Sequence, residues 1–476
     1  MSGKSIAIIG GGVAGATTAV HLAELGVNVT LIEKGASLVS GPPICHLHAG
    51  GNLYREISTE QCIELLIQSI NTLRMFPHTI NHRPTVVAIP TDDRGEPQDL
   101  LPRLEQIRDV YQQLVEQDPA NEVLGGVDQY FQTFSKSQLL SLKGKVQPER
   151  VEAIQDWLIP FANQVDLDKI KYPVIAVQEH GWSVFRLGAS ASLALDKLSN
   201  CEVKLNSAVE GISATDQGWQ ISYRQAGQLE VLDVDYLINA AGFKTGVIDD
   251  MVEQPRQRLV EFKAAYVTQW TENRYQWPEV IFHGERGTPN GMAQLTPYAD
   301  NHFQLHGMTK DITLFEGGLA QSSAATSQPQ LPAALEKKQQ VGWQEEVVAQ
   351  RTERAIDFVA RLLPDFGQAE CAGTPLFGVQ QIPGNDDTLR AADVSFSGER
   401  YARLEIVKGS SALEGAMTLV KEWQLVADFD EYQHKTIEQL HPVTLSLSLA
   451  QVESAAIDTA EQRGYPASLA RYFGHA

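Results

Sequence analysis

The residues that most restrict the fold of this chain lie at its N-terminus, where a short apolar strand runs directly into clustered glycines. Residues 4–9 read as a buried strand, and Gly10, Gly12 and Gly15 follow it in GxGxxG spacing. Small and apolar residues then recur at helical spacing over residues 13–25. A strand, a glycine-rich turn and a helix in this order predict a βαβ unit of the Rossmann type that binds a dinucleotide.

Each part of this turn has a predicted role in holding a diphosphate. Gly10 permits the tight turn, Gly12 lets the backbone approach a pyrophosphate, and Gly15 lets the helix pack closely on the strand. The helix begins at Val13 and Ala14, whose free N–H groups and positive dipole end favour phosphate oxygens. These five residues form the first part of the predicted cofactor-binding set.

An acidic residue ends the next strand of the unit. Gly26 stops the predicted helix, and residues 27–33 (VNVTLIE) form the second strand. Glu33 can accept hydrogen bonds from an adenosine ribose, and its charge would repel a 2′-phosphate, which makes NADP a poor candidate. Glu33 and the following Lys34 therefore join the predicted cofactor-binding residues, and the fingerprint alone leaves FAD and NAD open.

Charge and cysteine content exclude several classes of protein. The formal net charge of −21 argues against a nucleic-acid partner, because phosphate binding needs a basic surface. The four cysteines are scattered and form no CxxC pair, which indicates neither a zinc knuckle nor a redox dithiol and favours a reducing compartment. No apolar stretch approaches the ~20 residues of a transmembrane segment. We expect a cytoplasmic protein, with peripheral membrane association left open.

Strand and helix patterns along the chain predict an α/β fold with two interleaved domains and a tail. Residues 1–80, 172–250 and 371–428 are assigned to a Rossmann-like nucleotide-binding domain, 81–171 and 251–370 to an α+β substrate domain on a mixed or antiparallel sheet, and 429–476 to a helical tail. Within the substrate domain one long helix is predicted over 333–362. No second GxGxxG occurs, which favours electrons that arrive directly from a bound organic substrate.

Four segments carry a family resemblance. They are GGGVAGATTAVHLAELGVNVTLIEKG (10–35), SAVEGISA (207–214), LINAAGF (237–243) and ARLEIVKGSSALEGAMTLV (402–420). Together they resemble the FAD-dependent oxidoreductases of the D-amino-acid oxidase superfamily, with local similarity to L-2-hydroxyglutarate oxidase, malate:quinone oxidoreductase and the sarcosine and dimethylglycine dehydrogenases. The resemblance implies FAD as the cofactor and a glutathione-reductase-type βαβ unit in the FAD-binding domain.

The resemblance also implies further FAD contacts. These are Val209 at the adenine, Ala240, Ala241 and Gly242 beside the pyrophosphate, and Gly409, Ser410 and Ser411 near the flavin ring. The amides of the last three residues start a predicted helix, so their dipole would stabilise an anionic reduced flavin.

The segment PPICHLHAGGNLYRE (42–56) lies where these enzymes place a loop next to the isoalloxazine ring. This implies flavin contact by His48, Ala49 and Gly50, with His48 also a candidate catalytic residue. Covalent attachment of the flavin to His48 stays open, as does a histidine that is merely hydrogen-bonded within a loop. A metal site on the cysteine and histidines of this segment rests on residue types alone.

Cys371 lies near the position at which monomeric sarcosine oxidases carry a flavin-linked cysteine. A flavin bond and a buried small-residue role are both open for it. Most members of the superfamily have an arginine in the adjoining turn that binds the substrate carboxylate. Here residues 372–374 read Ala-Gly-Thr, which puts simple amino-acid oxidation in doubt.

Three residues of the segment TPYADNHFQLHG are candidate catalytic residues. Tyr298, His302 and His306 alternate so that they could share one face of a sheet. If that face looks toward the flavin, one histidine could remove a hydroxyl proton from a 2-hydroxy acid. The alternative is that each residue faces solvent or lies in the core with its polar groups hydrogen-bonded. The candidate partners for a substrate carboxylate are Arg55, Arg83, Arg186 and Arg390.

The leading hypothesis is an FAD-dependent oxidoreductase that oxidises an amino acid, an amine or a 2-hydroxy acid by hydride transfer to the flavin. The electron acceptor is left open among oxygen, a quinone and a carrier protein. The fragment WLIP at 157–160 resembles part of the WxWxIP stretch of flavin-dependent halogenases, so a monooxygenase or halogenase-like enzyme is the alternative. A non-catalytic flavoprotein is the third hypothesis.

Overall fold

The computed structural model describes residues 4–41, 47, 49–51, 57–392 and 394–474. Its strands are β1 (Ser5–Ile9), β2 (Asn28–Ile32), β3 (Ile80–Asn81), β4 (Thr85–Pro90), β5 (Phe131–Phe134), β6 (Ile170–Val177), β7 (Gly181–Trp182), β8 (Cys201–Lys204), β9 (Ser207–Ala214), β10 (Trp219–Gln225), β11 (Gln228–Val234), β12 (Tyr236–Asn239), β13 (Arg258–Gln269), β14 (Glu279–Phe282), β15 (Ala293–Pro297), β16 (His302–Gly307), β17 (Leu319–Gln321), β18 (Glu370–Cys371), β19 (Leu376–Pro383), β20 (Val394–Ser397) and β21 (Tyr401–Leu404).

The helices are α1 (Val13–Glu24), α2 (Thr59–Met75), α3 (Leu101–Gln117), α4 (Lys136–Leu142), α5 (Ile154–Gln164), α6 (Val184–Leu195), α7 (Thr245–Met251), α8 (Ala333–Val341), α9 (Glu345–Ala360), α10 (Ala412–Trp423), α11 (Phe429–Gln433), α12 (Ile437–Leu440), α13 (Pro442–Leu445) and α14 (Leu449–Gln462). Across the described residues, no helix combines the length and the apolar character that crossing a bilayer demands.

A six-stranded sheet of order β20-β21-β12-β1-β2-β8 forms the centre of the nucleotide-binding half. Its strands run parallel except for β20. The strand β1 is apolar and almost wholly buried because α1, α6 and α10 pack on one face and the three-stranded sheet β9–β11 packs on the other. The Rossmann-like βαβ arrangement that the glycine pattern predicts is therefore confirmed.

A second, larger sheet has the order β17-β13-β16-β15-β14-β4-β6-β5, with β18 and β19 also paired to β13. The pair β4 and β14 is parallel and the other pairs are antiparallel, so the sheet is mixed, as predicted. One face, here called the outer face, is apolar and packs against α4, α5 and α9. The opposite inner face packs toward the nucleotide-binding half.

Some helices differ from the sequence-based expectation. The single helix predicted over 333–362 is two helices, α8 and α9, because Gly342 adopts a left-handed conformation with φ +91° after α8. The halogenase-like fragment at 157–160 lies within α5, where its Trp157 belongs to the outer-face core. The structure thus gives this fragment a packing role away from the inner face.

The strand pairing also bears on the division into domains. The strand β19 and Cys371 of β18 lie in the segment 371–428 that was assigned to the nucleotide-binding domain, and they pair with β13 of the large sheet. The predicted domain boundaries remain a prediction. The tail after 429 consists of α11–α14, of which α14 packs on α6 and α13 on α1 and α6.

Candidate functional site

The glycine turn has room only for glycine at two of its three positions. Gly10 has φ +102°, and a β-carbon there would lie 2.4 Å from the carbonyl oxygen of Ala240. A β-carbon on Gly15 would lie 1.8 Å from the carbonyl oxygen of Gly10. At Gly12, by contrast, a β-carbon would meet no protein atom within 4 Å. Gly12 therefore faces open space, as a residue that lets a ligand approach the backbone would.

The helix α1 begins at this turn without a side-chain cap. Gly12 is the N-cap residue, and the first turn carries no acidic side chain. The first N–H groups of a helix have no intrahelical acceptor, so those of Val13 and Ala14 are available to an anion. These residues fit a bound diphosphate.

The side chain of Glu33 links the end of β2 to the glycine turn by hydrogen bonds. Its side chain is 5% exposed, and it accepts hydrogen bonds from the N–H groups of Gly11 and Gly35, each at 2.6 Å. Each carboxylate oxygen has two lone pairs, so capacity remains for a ribose hydroxyl. Lys34 is exposed and its ammonium lies 5.8 Å from the ring centroid of Phe243.

The small-residue turn after β12 lies against the glycine turn. Ala240 donates its N–H to Ile9 O at 2.8 Å, and Gly242 has φ +58°. Ala241 donates its N–H to the side-chain oxygen of Asn239 at 3.2 Å. The predicted adenine residue Val209 lies in β9, whose first residue donates its N–H to Glu33 O at 2.9 Å. The structure therefore brings the predicted residues of these segments together around one end of the parallel sheet.

A buried ionic cluster supports this turn and was missed by the sequence analysis. Asn239 donates to the hydroxyl of Tyr401 at 2.7 Å, and that hydroxyl donates to Asp249 at 2.6 Å. Asp249 also pairs with Arg403 and Arg258, and all three charged groups are buried. Burial and the charge of Asp249 raise the pKa of Tyr401, so its hydroxyl stays protonated. No short motif signals this cluster, since its members lie on four separate elements.

The turn at 409–411 is held from two sides. A β-carbon on Gly409 would lie 2.5 Å from the indole ring of Trp182. The hydroxyl of Thr72 donates to Ser410 O at 3.0 Å, and the hydroxyl of Ser411 donates to Gln68 at 2.6 Å. The helix α10 then starts at Ala412 without a side-chain cap, so its first amides are directed at whatever lies beyond the turn.

The segment predicted to contact the flavin ring is described only in part. His48 lies outside the described residues, as do Cys45, His46 and Arg55 of the same segment. Ala49 donates its N–H to Glu179 at 2.7 Å. Gly50 has φ +86°, and a β-carbon there would lie 2.5 Å from Cys62 O. The backbone of Ala49 and Gly50 is thus anchored to α2 and to Glu179, a residue that the sequence analysis missed.

The inner face of the large sheet brings together two of the three predicted catalytic residues. The hydroxyl of Tyr298 donates to Gln304 Oε1 at 3.2 Å, and Gln304 Nε2 lies 3.2 Å from His306 Nδ1. His302 is half-buried at the start of β16 and outside this chain of contacts, and burial lowers its pKa. Gln304 was not predicted, because glutamine in an alternating strand carries no chemical signature of its own.

A charged group lies on the same inner face. The strand register puts Val267 opposite Gln304, and Lys263 lies four residues from Val267 on the same face of β13. The Lys263 ammonium contacts Glu261 at 2.7 Å and Gln380 at 2.8 Å, and Gln380 in turn donates to Val407 O at 2.8 Å. Burial lowers the pKa of Lys263, and the charge of Glu261 opposes that shift. This chain of contacts joins the inner face to the turn at 409–411.

The remaining candidates have the following positions. Arg83 and Glu279 form an ion pair in which both side chains are almost fully buried. Arg186 is fully buried and donates to Thr79 O and Ile80 O, and Arg390 donates to backbone oxygens of its own loop. Cys371 is an exposed free thiol at the edge strand β18, so the small buried role considered for it is wrong.

Comparison with known proteins supports the reading of this geometry. Residues 5–155 match the family model DAO, described as FAD dependent oxidoreductase. No match was found among curated protein sequences. Among solved structures, glycine oxidase from Geobacillus kaustophilus is similar with a TM-score of 0.56 at 13% identity, over 89% of this chain and 95% of that one.

Two further solved structures show the same likeness. L-amino acid deaminase from Proteus vulgaris has a TM-score of 0.57 at 11% identity, over 90% of this chain and 94% of its own. L-alpha-glycerophosphate oxidase from Mycoplasma pneumoniae, solved with FAD bound, has a TM-score of 0.54 at 14% identity, over 89% and 95%. Residues 5–155 thus match the model of the FAD dependent oxidoreductases, the chain shares the fold of these solved enzymes, and its N-terminal turn fits a diphosphate.

Proposed function

We propose that the protein oxidises a small organic substrate, an amino acid, an amine or a 2-hydroxy acid, on the inner face of the large sheet. The observation that carries the proposal is the contrast between the two faces. The outer face is apolar, whereas the inner face buries Tyr298, Gln304 and His306 together with the pair Glu261 and Lys263. Burying polar groups costs free energy unless they are hydrogen-bonded, so a polar inner face suits substrate orientation.

The described residues would hold FAD along the edge of the parallel sheet. The amides at Gly12, Val13 and Ala14 would bind the diphosphate, and Glu33 would accept from the adenosine ribose. Bound FAD supplies a two-electron acceptor for a hydride from a carbon that bears nitrogen or oxygen. The uncapped start of α10 after Gly409 would stabilise negative charge that develops nearby.

The protein's own residues then have two tasks. The inner face positions the reacting carbon by hydrogen bonds, and the packing of the two halves excludes water from it. The cation Lys263, linked through Gln380 to the backbone at Val407, adds positive charge at the junction between the sheet and the turn at 409–411. A cation there favours an anionic substrate or reduced cofactor.

The names of similar structures support an amino or hydroxy compound as the substrate. Glycine oxidase, L-proline dehydrogenase and iminodiacetate oxidase are among them, and so is L-alpha-glycerophosphate oxidase. They include oxidases as well as a dehydrogenase, so oxygen, a quinone and a carrier protein are all proposed as acceptors to be tested.

The experiment is anaerobic mixing of the yellow, full-length protein with single compounds while flavin absorbance is followed. The panel contains glycine, N-methylglycine, L-proline, both alanine enantiomers, both lactate enantiomers and glycerol 3-phosphate, with NADH and NADPH as separate additions. Direct bleaching by a member of the organic panel supports the proposal. Bleaching by a nicotinamide nucleotide alone contradicts it and favours an oxygen-activating enzyme with an external reductant.

A further inference from the structure

The segment that ends α4 and turns toward α5 carries the most exposed large apolar side chain among the described residues. Val146 is 88% exposed there, and Leu140 of α4 is 48% exposed. A single exposed apolar residue is ordinary on a protein surface. Two of them within seven residues indicate a surface that another apolar phase could cover. Residues 140–146 are called the α4 loop below.

Hydrogen bonds brace the α4 loop from two sides. Gly144 donates its N–H to Asn163 Oδ1 at 2.6 Å, and Asn163 Nδ2 donates to Lys145 O at 3.3 Å. On the other side, Gln147 accepts from the N–H of Gln276 and donates to its carbonyl oxygen, each at 2.8 Å. The valine between these two fixed points is therefore a constant feature of the surface, since exposing it requires no local unfolding.

The charge of the α4 loop is opposite to that of the chain. The formal net charge is −21, but residues 129–148 contain three lysines and no acidic residue. Lys136 is paired with Asp168 at 2.5 Å. Lys143 and Lys145 are both exposed, and within the described part of the chain neither forms an ion pair. The loop thus presents two unneutralised cations beside its apolar side chains.

We propose that the α4 loop is a docking surface for a bilayer that contains anionic lipid. Val146 and Leu140 would enter the boundary between headgroups and acyl chains, and the ammonium groups of Lys143 and Lys145 would bind the anionic headgroups. Distant acidic residues are screened over about 10 Å at ordinary salt, so the overall charge does not prevent this contact. The inference goes beyond the proposed function and does not depend on it.

The charges also decide between a bilayer and a second copy of the chain as the partner. In a two-fold dimer the same patch of both copies meets itself. A dimer through the α4 loop would therefore bring four unpaired lysines together, which like-charge repulsion opposes. An anionic bilayer neutralises the same lysines and covers the same apolar side chains.

The experiment is sedimentation of the yellow, full-length protein with sucrose-loaded vesicles. Vesicles of phosphatidylcholine with about 30% phosphatidylserine are compared with vesicles of phosphatidylcholine alone. We expect binding to the anionic vesicles, weaker binding to the neutral ones, and release as salt is raised to about 0.5 M. A protein that stays in the supernatant with the anionic vesicles would overturn the proposal.

Two exposed valines provide a matched pair of variants. Val231 on β11 is 57% exposed and has Glu230 and Asp233 as neighbours in the chain, so its surroundings are acidic. Val146→Glu and Val231→Glu each remove one exposed valine and add one negative charge. We expect Val146→Glu to weaken binding to anionic vesicles by about 10-fold or more, and Val231→Glu to leave it near wild type. Equal losses in both variants would overturn the assignment to this loop.

A second pair of variants separates local from overall charge. The double variant Lys143→Glu/Lys145→Glu lowers the net charge by the same amount as Lys310→Glu/Lys435→Glu, whose lysines are exposed and each paired with a glutamate. We expect the first double variant to bind about 25-fold more weakly, about 5-fold for each lysine lost, and the second to bind like wild type. Equal weakening would show that net charge alone governs binding and would contradict the proposal.

Light scattering without vesicles tests the other partner. The protein is expected to have the same mass as its Val146→Glu variant. A larger wild-type particle that dissociates in the variant would show that a second copy covers the α4 loop, and would overturn the lipid assignment. All substituted positions are exposed, so each variant is expected to fold and to keep the flavin absorbance of wild type.

Discussion

The guanidinium of Arg463 donates to the carbonyl oxygen of Gly41 at 2.6 Å, which ties the C-terminal tail to the backbone that precedes the 42–56 segment. The same side chain donates to Val39 O at 3.2 Å and Ser40 O at 2.9 Å. It packs over the ring of Phe185, with 5.2 Å to the centroid, and burial lowers its pKa. One residue of the tail thus fixes the backbone at 39–41.

Replacement of this arginine should loosen that backbone. Arg463→Gln removes a charge-assisted donor from three carbonyl groups. One such bond contributes about 1.5–3 kcal/mol when buried, and the two bonds to Ser40 and Gly41 are exposed to water and contribute less. We expect a free energy of unfolding lower by about 2 kcal/mol and faster proteolysis after residue 41. Urea unfolding and timed digestion measure these effects. The matched control is Arg471→Gln, whose exposed pair with Asp300 should contribute about 0.5 kcal/mol. Equal losses in both variants would contradict the role of Arg463.

Two glycines of the N-terminal turn should respond differently to the same substitution. Gly15→Ala puts a methyl group 1.8 Å from the Gly10 carbonyl oxygen, so the protein is expected to lose several kcal/mol of stability. Gly12→Ala meets no protein atom, and Gly12 has φ −67°, so the cofactor-free protein should unfold within about 1 kcal/mol of wild type. Its FAD binding should nevertheless fall steeply, because the methyl group occupies the space where the diphosphate approaches the backbone.

Thermal unfolding without FAD measures the stability of the two variants, and titration with FAD measures their affinity for the cofactor. Wild-type FAD affinity in Gly12→Ala would show that the diphosphate does not bind at this turn. That result would contradict the prediction that Gly12, Val13 and Ala14 bind the cofactor, but it would leave the fold unaffected.

Glu33 should contribute both to stability and to FAD affinity. Glu33→Gln keeps the size of the side chain but turns an NH₂ group toward one of the two backbone donors at Gly11 and Gly35. We expect a stability loss of about 1–3 kcal/mol from the unsatisfied buried donor, and FAD affinity about 10-fold lower. Glu202→Gln is the control, since Glu202 is an exposed partner of Lys204. A Glu33→Gln protein as stable as the control would rule out this anchoring role.

The sequence predicts the parts of this molecule that depend on local spacing. The βαβ unit around Gly10 and the cofactor follow from glycine spacing and from resemblance, and the fold confirms the unit. The contacts of Gln304 and Glu179 could not be predicted, because each depends on which strands are neighbours in a mixed sheet. The break at Gly342 was missed because helical spacing continues on both sides of it, and only the backbone conformation shows the interruption.

The buried histidines should make the protein labile to mild acid. Burial lowers the pKa of His180 to about 3, and burial also lowers the pKa values of His21, His78 and His82. These rings are neutral in the folded protein, whereas in the unfolded chain they take up protons near pH 6.5. The unfolded state therefore binds more protons below that pH. Stability should be complete above about pH 6.5 and fall as the pH drops toward 3.

Measurements between pH 6.5 and pH 5 separate the contribution of the buried histidines from that of the carboxylates. Carboxylates with lowered pKa values, such as Glu24 and Glu438, lose their stabilising contribution only as the pH falls below about 4.5. Urea unfolding at pH 7.5, 6.5, 5.75 and 5 should show a slope of up to about 1.4 kcal/mol per pH unit for each buried histidine. His180→Gln should reduce that slope by up to about 1.4 kcal/mol per pH unit, the contribution of one proton. A slope that is identical in wild type and His180→Gln would show that His180 takes up its proton without unfolding.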